Sequence, residues 1–483
     1  MAVKRKKILF AVSEAVPFIK TGGLADVAGS LPKNLDSRYF DCRVIMPKYT
    51  CMKAENLKTL KFLCSFTVHH DGRDIYAGVF TLTKAGIRFY FIDNEEFFGG
   101  DKPYGDWYYD ISKFCFFEKA ALMAIKAVDF RPDIIHCHDW QTGLIPAYVN
   151  ELRSDPFYSR IKTVFTIHNL KFQGRWGIDH MKWITGLPDS YFTSEGLEYY
   201  NDGNMLKGGV VYADAVTTVS RTYAEEIKTP EYGEGLDGLM RKRAWALRGI
   251  VNGIDYREFN PESDRLISAF YNSENFSLVK NKNKKALQKA LGLSEDDGKL
   301  LIGMVTRLTD QKGLDLIGQI LETLSGDDIQ IAVVGTGDER YEAMFMEAAQ
   351  RHPGKIAAYI RYSDEMAHKV YAGADAYLMP SRFEPCGLSQ LIALRYGTVP
   401  IVRETGGLKD TVIPYNRYSG EGTGFSFADY SPECLLSCIR YAEDVFRENK
   451  EAWDGLIRSG MNTDFSWKSS ALSYQELYDW LIG

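Results

Sequence analysis

Short apolar, β-branched runs alternate with longer helical patterns along this chain of 483 residues. The runs are KKILFAV, GIRFYFI, DIIHCH, TVFTIHN and DAVTTVS in the first half, and KLLIGMVTRL, IQIAVVGTG, KIAAYIR, DAYLMPS and TVPIVRE in the second. This alternation is typical of βαβ units, in which helices cover both faces of a buried parallel sheet. We therefore predict an α/β protein with doubly wound, Rossmann-like parallel sheets.

The strand series pauses around LRGIVNGIDYREFNP and then resumes, and the chain is longer than one hydrophobic core usually organises. We predict an N-terminal domain over residues 1–249 and a C-terminal domain over residues 250–464. Residues 465–483 read as a final helix, for which packing on the N-terminal domain is one option. The polar stretch NKNKKALQKALGL predicts an amphipathic, exposed helix after the first boundary.

Composition argues against several classes of partner. The formal net charge is -6 and basic residues are interspersed with acidic ones, so we expect no nucleic-acid partner. No apolar run approaches the roughly 18 residues of a membrane-spanning helix, so we expect no membrane association. The basic and apolar N-terminus imitates a signal peptide, but Glu14 interrupts the run, and we interpret it as a buried strand. Eight scattered cysteines without a C-x-x-C pair favour reduced thiols in a cytoplasm.

The hexapeptides TGGLAD and TGGLKD begin at Thr21 and Thr405, so each predicted domain contains one glycine loop. Each loop follows a strand pattern and precedes a helical one, where glycines let backbone N–H groups approach an anionic ligand. Two tight turns without a ligand are the structural alternative. Lys20 before the first loop, and Arg307 and Lys312 in TRLTDQKG, are cations that suit a diphosphate or, alternatively, solvated surface residues.

Glu384 follows the apolar strand pattern AYLMP in the segment PSRFEPCGLSQL. A carboxylate at this position suits hydrogen bonds to sugar hydroxyls or to cationic charge at an anomeric carbon. The alternative is a surface ion pair with Arg382, which would contribute little stability.

Aromatic, imidazole and carboxylate side chains lie at the ends of two neighbouring strand patterns, in HCHDWQTG and TIHNLKFQG. Such side chains would make a wall that faces a sugar. His136 and His138 would share one face of a strand, but no further segment supplies a third metal ligand, so we expect no metal site.

Taken in order, the segments KTGGLADV, HDW, FTIHNL, GIVNGID, TRLTDQKG, PSRFEPCGLSQL and ETGGLKDTV resemble the motifs of a known family. These are the bacterial glycogen synthases and plant starch synthases, which are retaining glucosyltransferases of the GT-B fold. The resemblance spans nearly the whole chain and implies two Rossmann-like domains that face each other across a cleft. It also implies ADP-glucose as the donor, the non-reducing end of an α-1,4-glucan such as glycogen as the acceptor, and no metal or other cofactor. Since the sequence shows no transit-type N-terminal extension, we expect a bacterial cytoplasm and not a plastid.

The resemblance also implies roles for individual residues. Those implied to be catalytic are His168, Glu384, Arg307 and Lys312. Those implied to contact the donor are Lys20, Gly22, Gly23, Asn252, Arg307, Lys312, Tyr362, Cys386, Gly387, Leu388, Thr405, Gly406 and Gly407. Those implied to lie on the acceptor side are Asp139, Trp140 and Asn169, and no residue is implied to bind a metal.

Two positions are informative when this sequence is compared with the patterns of the family and of other GT-B transferases. Gln141 stands where members of the family often carry a histidine, and Ile392 stands where many other GT-B transferases carry a second glutamate. Three alternatives stay open: a GT-B transferase that uses UDP-glucose or another nucleotide sugar, a glucan phosphorylase, and a catalytically silent glucan-binding protein. The diphosphate-directed cations argue against the last of these. No motif specifies an oligomeric state.

Overall fold

The computed structural model describes residues 5–483. The strands are β1 (Lys6–Ala11), β2 (Phe40–Pro47), β3 (Lys61–His70), β4 (Arg73–Lys84), β5 (Ile87–Asp93), β6 (Ile134–His138), β7 (Lys162–Ile167), β8 (Arg175–Gly177), β9 (Glu198–Tyr199), β10 (Asp202–Asn204), β11 (Ala215–Thr218), β12 (Leu247–Gly249), β13 (Leu300–Val305), β14 (Ile329–Val334), β15 (Ile356–Tyr359), β16 (Ala376–Met379), β17 (Val399–Arg403) and β18 (Phe425–Phe427). The helices are α1 (Gly23–Asn34), α2 (Ala54–Thr59), α3 (Glu95–Phe98), α4 (Trp107–Ala127), α5 (Ile145–Glu151), α6 (Ile178–Thr185), α7 (Met205–Tyr212), α8 (Arg221–Glu226), α9 (Asp237–Lys242), α10 (Phe276–Leu291), α11 (Leu314–Gly326), α12 (Glu339–Arg351), α13 (Asp364–Gly373), α14 (Ser389–Arg395), α15 (Gly406–Thr411), α16 (Pro432–Glu448), α17 (Lys450–Asn462) and α18 (Trp467–Ile482). Short 3-10 helices occur at Trp140–Thr142, Leu152–Ser154, Asp189–Tyr191 and Asp310–Lys312.

The chain forms two compact units. Unit 1 contains the chain up to Asn252 together with Trp467–Gly483, and unit 2 contains Gly253–Ser466. The boundaries predicted after residues 249 and 464 fall just before these points, and residues 1–4 of the predicted N-terminal domain lie outside the described residues. Each unit has its own hydrophobic core around its own sheet.

The main sheet of unit 1 has the order β12-β11-β7-β6-β1-β2-β5-β4-β3. The strands from β12 to β5 pair in parallel, as predicted from the apolar runs. One edge of this sheet is antiparallel, a feature that the apolar runs did not predict, because β3 pairs antiparallel with β4, and β4 with β5. The tight turn at Asp71 and Gly72, both at positive φ, joins β3 to β4 as a hairpin. The strands β8, β10 and β9 form a second, small antiparallel sheet.

The sheet of unit 2 has the order β15-β14-β13-β16-β17-β18, and all of its strand pairs are parallel. In chain order within the unit this is 3-2-1-4-5-6, the order of a doubly wound Rossmann sheet. The prediction of Rossmann-like parallel sheets is therefore confirmed.

Helix α10 is amphipathic as predicted, but the expectation that it is exposed is wrong for one of its faces, which contains Lys284 and also Lys280, the residue just before the predicted segment. Lys280 is buried, and its ammonium donates to the carbonyl of Ala372 at 2.8 Å and to Thr398 Oγ1 at 2.7 Å. Lys284 is also buried and pairs with Asp375 at 2.7 Å. Burial lowers the pKa of Lys280 to about 7. The sequence pattern missed these lysines because buried cations are tolerated only where partners from distant segments of the chain satisfy them.

The final helix, α18, belongs to unit 1 and packs beside α1. Its buried face is large and aromatic, and consists of Trp467, Ala471, Tyr474, Leu477 and Tyr478. Tyr478 also forms a 2.7 Å hydrogen bond with Nδ1 of His136 on β6. Within residues 5–483, no helix combines the length and the apolar character that crossing a membrane requires.

We expect Leu477→Ala to lower the free energy of unfolding by about 2–5 kcal/mol, because the side chain is fully buried in the core of unit 1. Leu472→Ala is the matched control on the same helix, since Leu472 is 56% exposed, and its effect should stay within about 0.5 kcal/mol. Urea unfolding followed by circular dichroism measures both values. Equal effects of the two substitutions would contradict the docking of α18 on unit 1.

Candidate active site

The carboxyl ends of β1 and β6 mark the point where the connections of unit 1 diverge to opposite sides of the sheet. β1 lies between β6 and β2, so its two neighbours come from different halves of the winding. Open α/β sheets bind ligands in the crevice at such a point. Glu14 and Asp139 follow these two strands, and the polar side chains around them form the candidate site of unit 1.

Glu14 holds the backbone of the first glycine loop. Its Oε2 accepts a hydrogen bond from the N–H of Thr21 at 2.5 Å, and a Cβ on Gly22 would lie 3.8 Å from its Oε1. The carboxyl is buried, and burial raises the pKa of Glu14 to about 7. Sequence reasoning missed this residue as part of the site, although a carboxyl within a strand-like apolar run was the available signal.

Lys20 precedes the same loop and remains accessible. Its Nζ lies 2.8 Å from Oδ1 of Asp26, and 39% of its side chain is exposed. Gly22 is the N-cap of α1, which begins at Gly23. The N–H groups of a first helical turn lack partners within the helix, so this loop combines backbone donors with a cation.

Asp139 has a strained backbone and a buried carboxyl. Its φ of 56° and ψ of -176° fall in a region that is essentially restricted to glycine, at a cost of about 1–3 kcal/mol. Its Oδ1 accepts hydrogen bonds from the N–H groups of His168 at 2.7 Å and Asn169 at 3.3 Å. Burial is the main cause that raises the pKa of Asp139 to about 7, and the nearby Glu14 raises it further. Asp139 therefore ties the end of β6 to the end of β7.

The other two predicted acceptor-side residues lie next to Asp139. Trp140 is buried, and its ring centroid lies 5.5 Å from that of Trp107 and 5.3 Å from that of Phe114. Asn169 is half-buried, and its Oδ1 accepts the N–H of Lys171 at 3.1 Å. Their contact with an acceptor stays a prediction.

His168 follows β7 and is joined to a second histidine. Its Nε2 lies 2.9 Å from Nδ1 of His138, and burial lowers the pKa of His168 to about 3, so the imidazole is neutral at physiological pH. His136 and His138 share one face of β6 as predicted, with their ring centroids 4.2 Å apart. Among residues 5–483, His, Cys, Asp and Glu side chains nowhere gather in threes that could hold a metal ion.

A pocket in unit 2 lies at the carboxyl ends of β13 and β16, where the winding of that sheet also reverses. Its polar lining comes from Thr306, Lys312, Ser381 and Ser389. This is the crevice in which doubly wound sheets bind their ligands. The pocket therefore combines a cation and hydroxyl groups at the predicted position.

The cation of this pocket is paired with the predicted glutamate. Nζ of Lys312 lies 2.7 Å from Oε2 of Glu384, and Ser381 Oγ donates to the same oxygen at 2.9 Å. Only 16% of the Lys312 side chain and 8% of the Glu384 side chain are exposed. The alternative pairing of Glu384 with Arg382 is wrong, because Arg382 instead lies 3.4 Å from Asp315.

The second glycine loop packs directly against the segment that carries Glu384. The N–H of Gly407 donates to the carbonyl of Glu384 at 3.1 Å. A Cβ on Gly406 would lie 2.9 Å from the carbonyl carbon of Glu384, and one on Gly407 would lie 2.5 Å from that of Cys386. Gly406 also adopts a positive φ of 44°. Glycine is required here because backbone meets backbone.

The remaining predicted donor residues differ in exposure. Arg307 is exposed two residues beyond β13, and Tyr362 is 73% exposed, with its hydroxyl bonded to Asp364. Leu388 is half-buried at the N-cap of α14. Asn252, the last residue of this part of unit 1, is buried, and its Oδ1 has no hydrogen-bond partner among the described residues.

Comparison with known proteins identifies the family. Residues 7–242 match the starch synthase catalytic domain, and residues 279–449 match the glycosyl transferases of group 1. The chain is 60% identical to the glycogen synthase of Lachnospira eligens, with 98% of this chain and 99% of that protein covered. The chain belongs to the glycogen synthase family. The glycogen synthase of Lachnoclostridium phytofermentans is a further member, 53% identical over the same shares of the two chains.

Solved structures agree with this membership of the glycogen synthase family. The catalytic domain of starch synthase IV from Arabidopsis thaliana, bound to ADP and acarbose, superimposes with a TM-score of 0.91 at 31% identity over 99% of both chains. Sucrose-phosphate synthase from Thermosynechococcus elongatus reaches a TM-score of 0.62 at 17% identity over 99% of both chains, and so shares the fold. The predicted GT-B class and glycosyltransferase activity are confirmed.

We expect Gly407→Ala to slow glucose incorporation into glycogen by more than about tenfold, because its Cβ would push the Cys386 backbone away and displace Glu384. Overpacking of this kind should also lower the free energy of unfolding by about 1–3 kcal/mol. Gly455→Ala is the matched control, since Gly455 lies within α17 with no heavy atom within 4 Å of its added Cβ. Full activity of Gly407→Ala would contradict the close approach of the two segments.

Glu14→Gln should change the pH dependence of stability. Since the folded protein binds the proton of Glu14 more tightly than the unfolded chain does, this carboxyl stabilises the fold below about pH 4.5. That contribution is lost as the pH rises through about 7. The glutamine amide does not ionise, so the variant should gain stability relative to the wild type between pH 4.5 and pH 7, by no more than about 3 kcal/mol.

Urea unfolding of both proteins at pH 5, 7 and 8 measures this difference. Asp139 is present in the wild type and in Glu14→Gln, so the effect of its titration largely cancels in the difference between their free energies of unfolding. Glu55→Gln is the control, because Glu55 is exposed and its carboxylate is solvated in both states. A stability difference for Glu14→Gln that does not change with pH would show that the carboxyl is not held in its neutral form.

Proposed function

We propose that this protein transfers glucose from ADP-glucose to the 4-hydroxyl at the non-reducing end of an α-1,4-glucan, with retention of the α configuration and without a metal ion. The observation that carries this proposal is the pairing of Lys312, which lines the pocket at the ends of β13 and β16, with Glu384 at 2.7 Å. Membership of the glycogen synthase family supports the reaction class. The ADP and acarbose named for the Arabidopsis structure support an adenine nucleotide and a glucan-like acceptor.

The cations act on the leaving group in this proposal. The bond between the anomeric carbon and the diphosphate breaks, and Arg307 and Lys312 stabilise the charge that develops on the departing ADP. Lys312 is suited to this because Glu384 and its own partial burial fix the position of its ammonium. Arg307 is exposed at the end of its strand and is available to reach the same group.

The acceptor attacks from the face that the leaving group vacates. The new bond joins the acceptor oxygen to the anomeric carbon, and the acceptor proton passes to an oxygen of the departing phosphate. A covalent intermediate would instead need a carboxylate behind the anomeric carbon. The carboxyls of Glu14 and Asp139 at the candidate site of unit 1 already accept backbone hydrogen bonds. His168 orients the transferred sugar and Glu384 supports it from its own unit.

The remaining assignments follow from the same reaction. Donor contacts come from both glycine loops and from Asn252, Tyr362 and the segment around Cys386, and acceptor contacts come from the loop after β6. The partners are a nucleotide sugar and glycogen, and we place the enzyme in the bacterial cytoplasm.

The test is glucose incorporation into glycogen from ADP-glucose or UDP-glucose, with excess EDTA. We expect incorporation from ADP-glucose that survives EDTA and falls by about 10²- to 10³-fold in Lys312→Ala and in Glu384→Ala, because each substitution removes a preorganised polar group. Lys450→Ala, at a lysine whose side chain is 79% exposed on α17, is the matched control.

Each other outcome changes a specific part of the proposal. Incorporation only from UDP-glucose would change the assigned donor from ADP-glucose to UDP-glucose. Loss of incorporation in the presence of EDTA would overturn metal independence. A fall below about tenfold in folded Lys312→Ala would remove this residue from the chemical step. Binding of glycogen without transfer from either donor would favour a silent glucan-binding protein.

A further inference from the structure

Three imidazole rings stack in the interior of unit 1. His136 and His138 lie on β6 with ring centroids 4.2 Å apart, and the ring of His168 lies 5.2 Å beyond that of His138. His138 Nδ1 and His168 Nε2 are 2.9 Å apart, which is a hydrogen-bond distance. This contact joins the sugar-orienting residue of the proposed function to the interior of the sheet.

One proton lies between the two rings. Burial lowers the pKa of His168 to about 3 and that of His138 well below its ordinary value, so both imidazoles are neutral. A neutral imidazole has one N–H donor and one bare nitrogen. The hydrogen bond therefore has two arrangements, in which either His138 Nδ1 or His168 Nε2 donates.

The second ring nitrogen of His138, Nε2, distinguishes these two arrangements. Its Nε2 is buried and has no hydrogen-bond partner among the described residues. If His168 donated, His138 would carry its proton on this Nε2 as a buried N–H without an acceptor, and orphaned N–H groups are rare in folded proteins. If His138 donates from Nδ1, its Nε2 is a bare nitrogen that lacks a donor. Burying an acceptor without a partner is less unfavourable than burying an N–H without one, so this arrangement is favoured.

We propose that His138 is a positioning residue that holds His168 as the tautomer protonated on Nδ1. This inference rests on the proposed function, in which His168 contacts the transferred sugar. Nδ1 of His168 makes no hydrogen bond with any described residue, so it is the polar ring atom left for a ligand. His168 thus offers an N–H donor to an oxygen of the donor substrate and does not accept a proton from it.

Hydroxyl groups around β6 fix the plane of the first ring of the stack. His136 bonds to the hydroxyl of Tyr478 at 2.7 Å and to Thr166 Oγ1 at 2.6 Å. The backbone N–H of His138 donates to Thr142 Oγ1 at 2.6 Å, which anchors the backbone that carries the second ring. The ring of His138 itself stacks on that of His136, with the centroids 4.2 Å apart.

Nuclear magnetic resonance on the ligand-free, full-length protein tests the tautomer directly. The chain has eight histidines, so ¹⁵N-histidine labelling gives a small set of signals, and His168→Gln identifies those of His168. We expect the chemical shift of a protonated nitrogen at Nδ1 and that of a bare nitrogen at Nε2. The reverse pattern would overturn the proposal.

Two substitutions with the same branching at Cγ test the positioning role. The side-chain amide of His138→Asn can donate from nearly the place of the imidazole Nδ1, whereas His138→Leu has no donor. We expect His138→Leu to lower kcat by about 10- to 100-fold, the range found for partners that orient a metal-ligating histidine. His138→Asn should recover most of that loss, and KM for the nucleotide sugar should change less than kcat. Equal losses in the two variants would overturn the proposal.

A control separates positioning from general destabilisation. His70 is another buried histidine of unit 1, whose Nε2 lies 2.9 Å from Ser112 Oγ at a distance from the candidate site along the sheet. His70→Leu should reduce thermal stability without the fall in kcat, and a fall equal to that of His138→Leu would contradict a specific role for His138. If His168→Ala keeps the wild-type kcat, the sugar-orienting role in the proposed function fails, whereas the tautomer is decided by the spectra alone.

Discussion

Parallel pairing places the carboxyl ends of neighbouring strands at the same edge of each sheet, and the candidate site depends on this constraint. In unit 1 it brings Glu14 after β1 near Asp139 after β6. In unit 2 it brings Lys312 after β13 against Glu384 after β16. These residues are far apart in the chain, so register within the sheet is what assembles them.

The two units provide different electrostatic environments. Burial in unit 1 favours the neutral forms of Glu14, Asp139 and His168, so its polar groups act mainly by hydrogen bonding. In unit 2 the ammonium of Lys312 contacts the carboxylate of Glu384, and the hydroxyl of Ser381 donates a hydrogen bond to the same carboxylate oxygen.

Local patterns predicted much of this architecture. Continuous β-branched runs identified the buried parallel strands, and the glycine pairs identified both loops. In the second loop the glycines are required because backbone approaches backbone too closely for a Cβ. The hairpin of β3 and β4 was missed, since its exposed edge breaks the apolar pattern. The contacts of Lys312 with Glu384 and of His138 with His168 were also missed, because sequence spacing does not report the rotamers that bring side chains from different strands together.

The chain enters unit 2 after Asn252 and returns to unit 1 at Trp467, so the core of unit 1 is completed by a helix that is synthesised after all of unit 2. During translation the ribosome must release α18 before the rings of Tyr474 and Tyr478 can cover His136. Unit 2, which is continuous in the chain, is able to fold while unit 1 still exposes part of its apolar surface. Nascent chains of this protein therefore carry an incomplete first domain until α18 has left the ribosome, a period in which chaperones have a surface to bind.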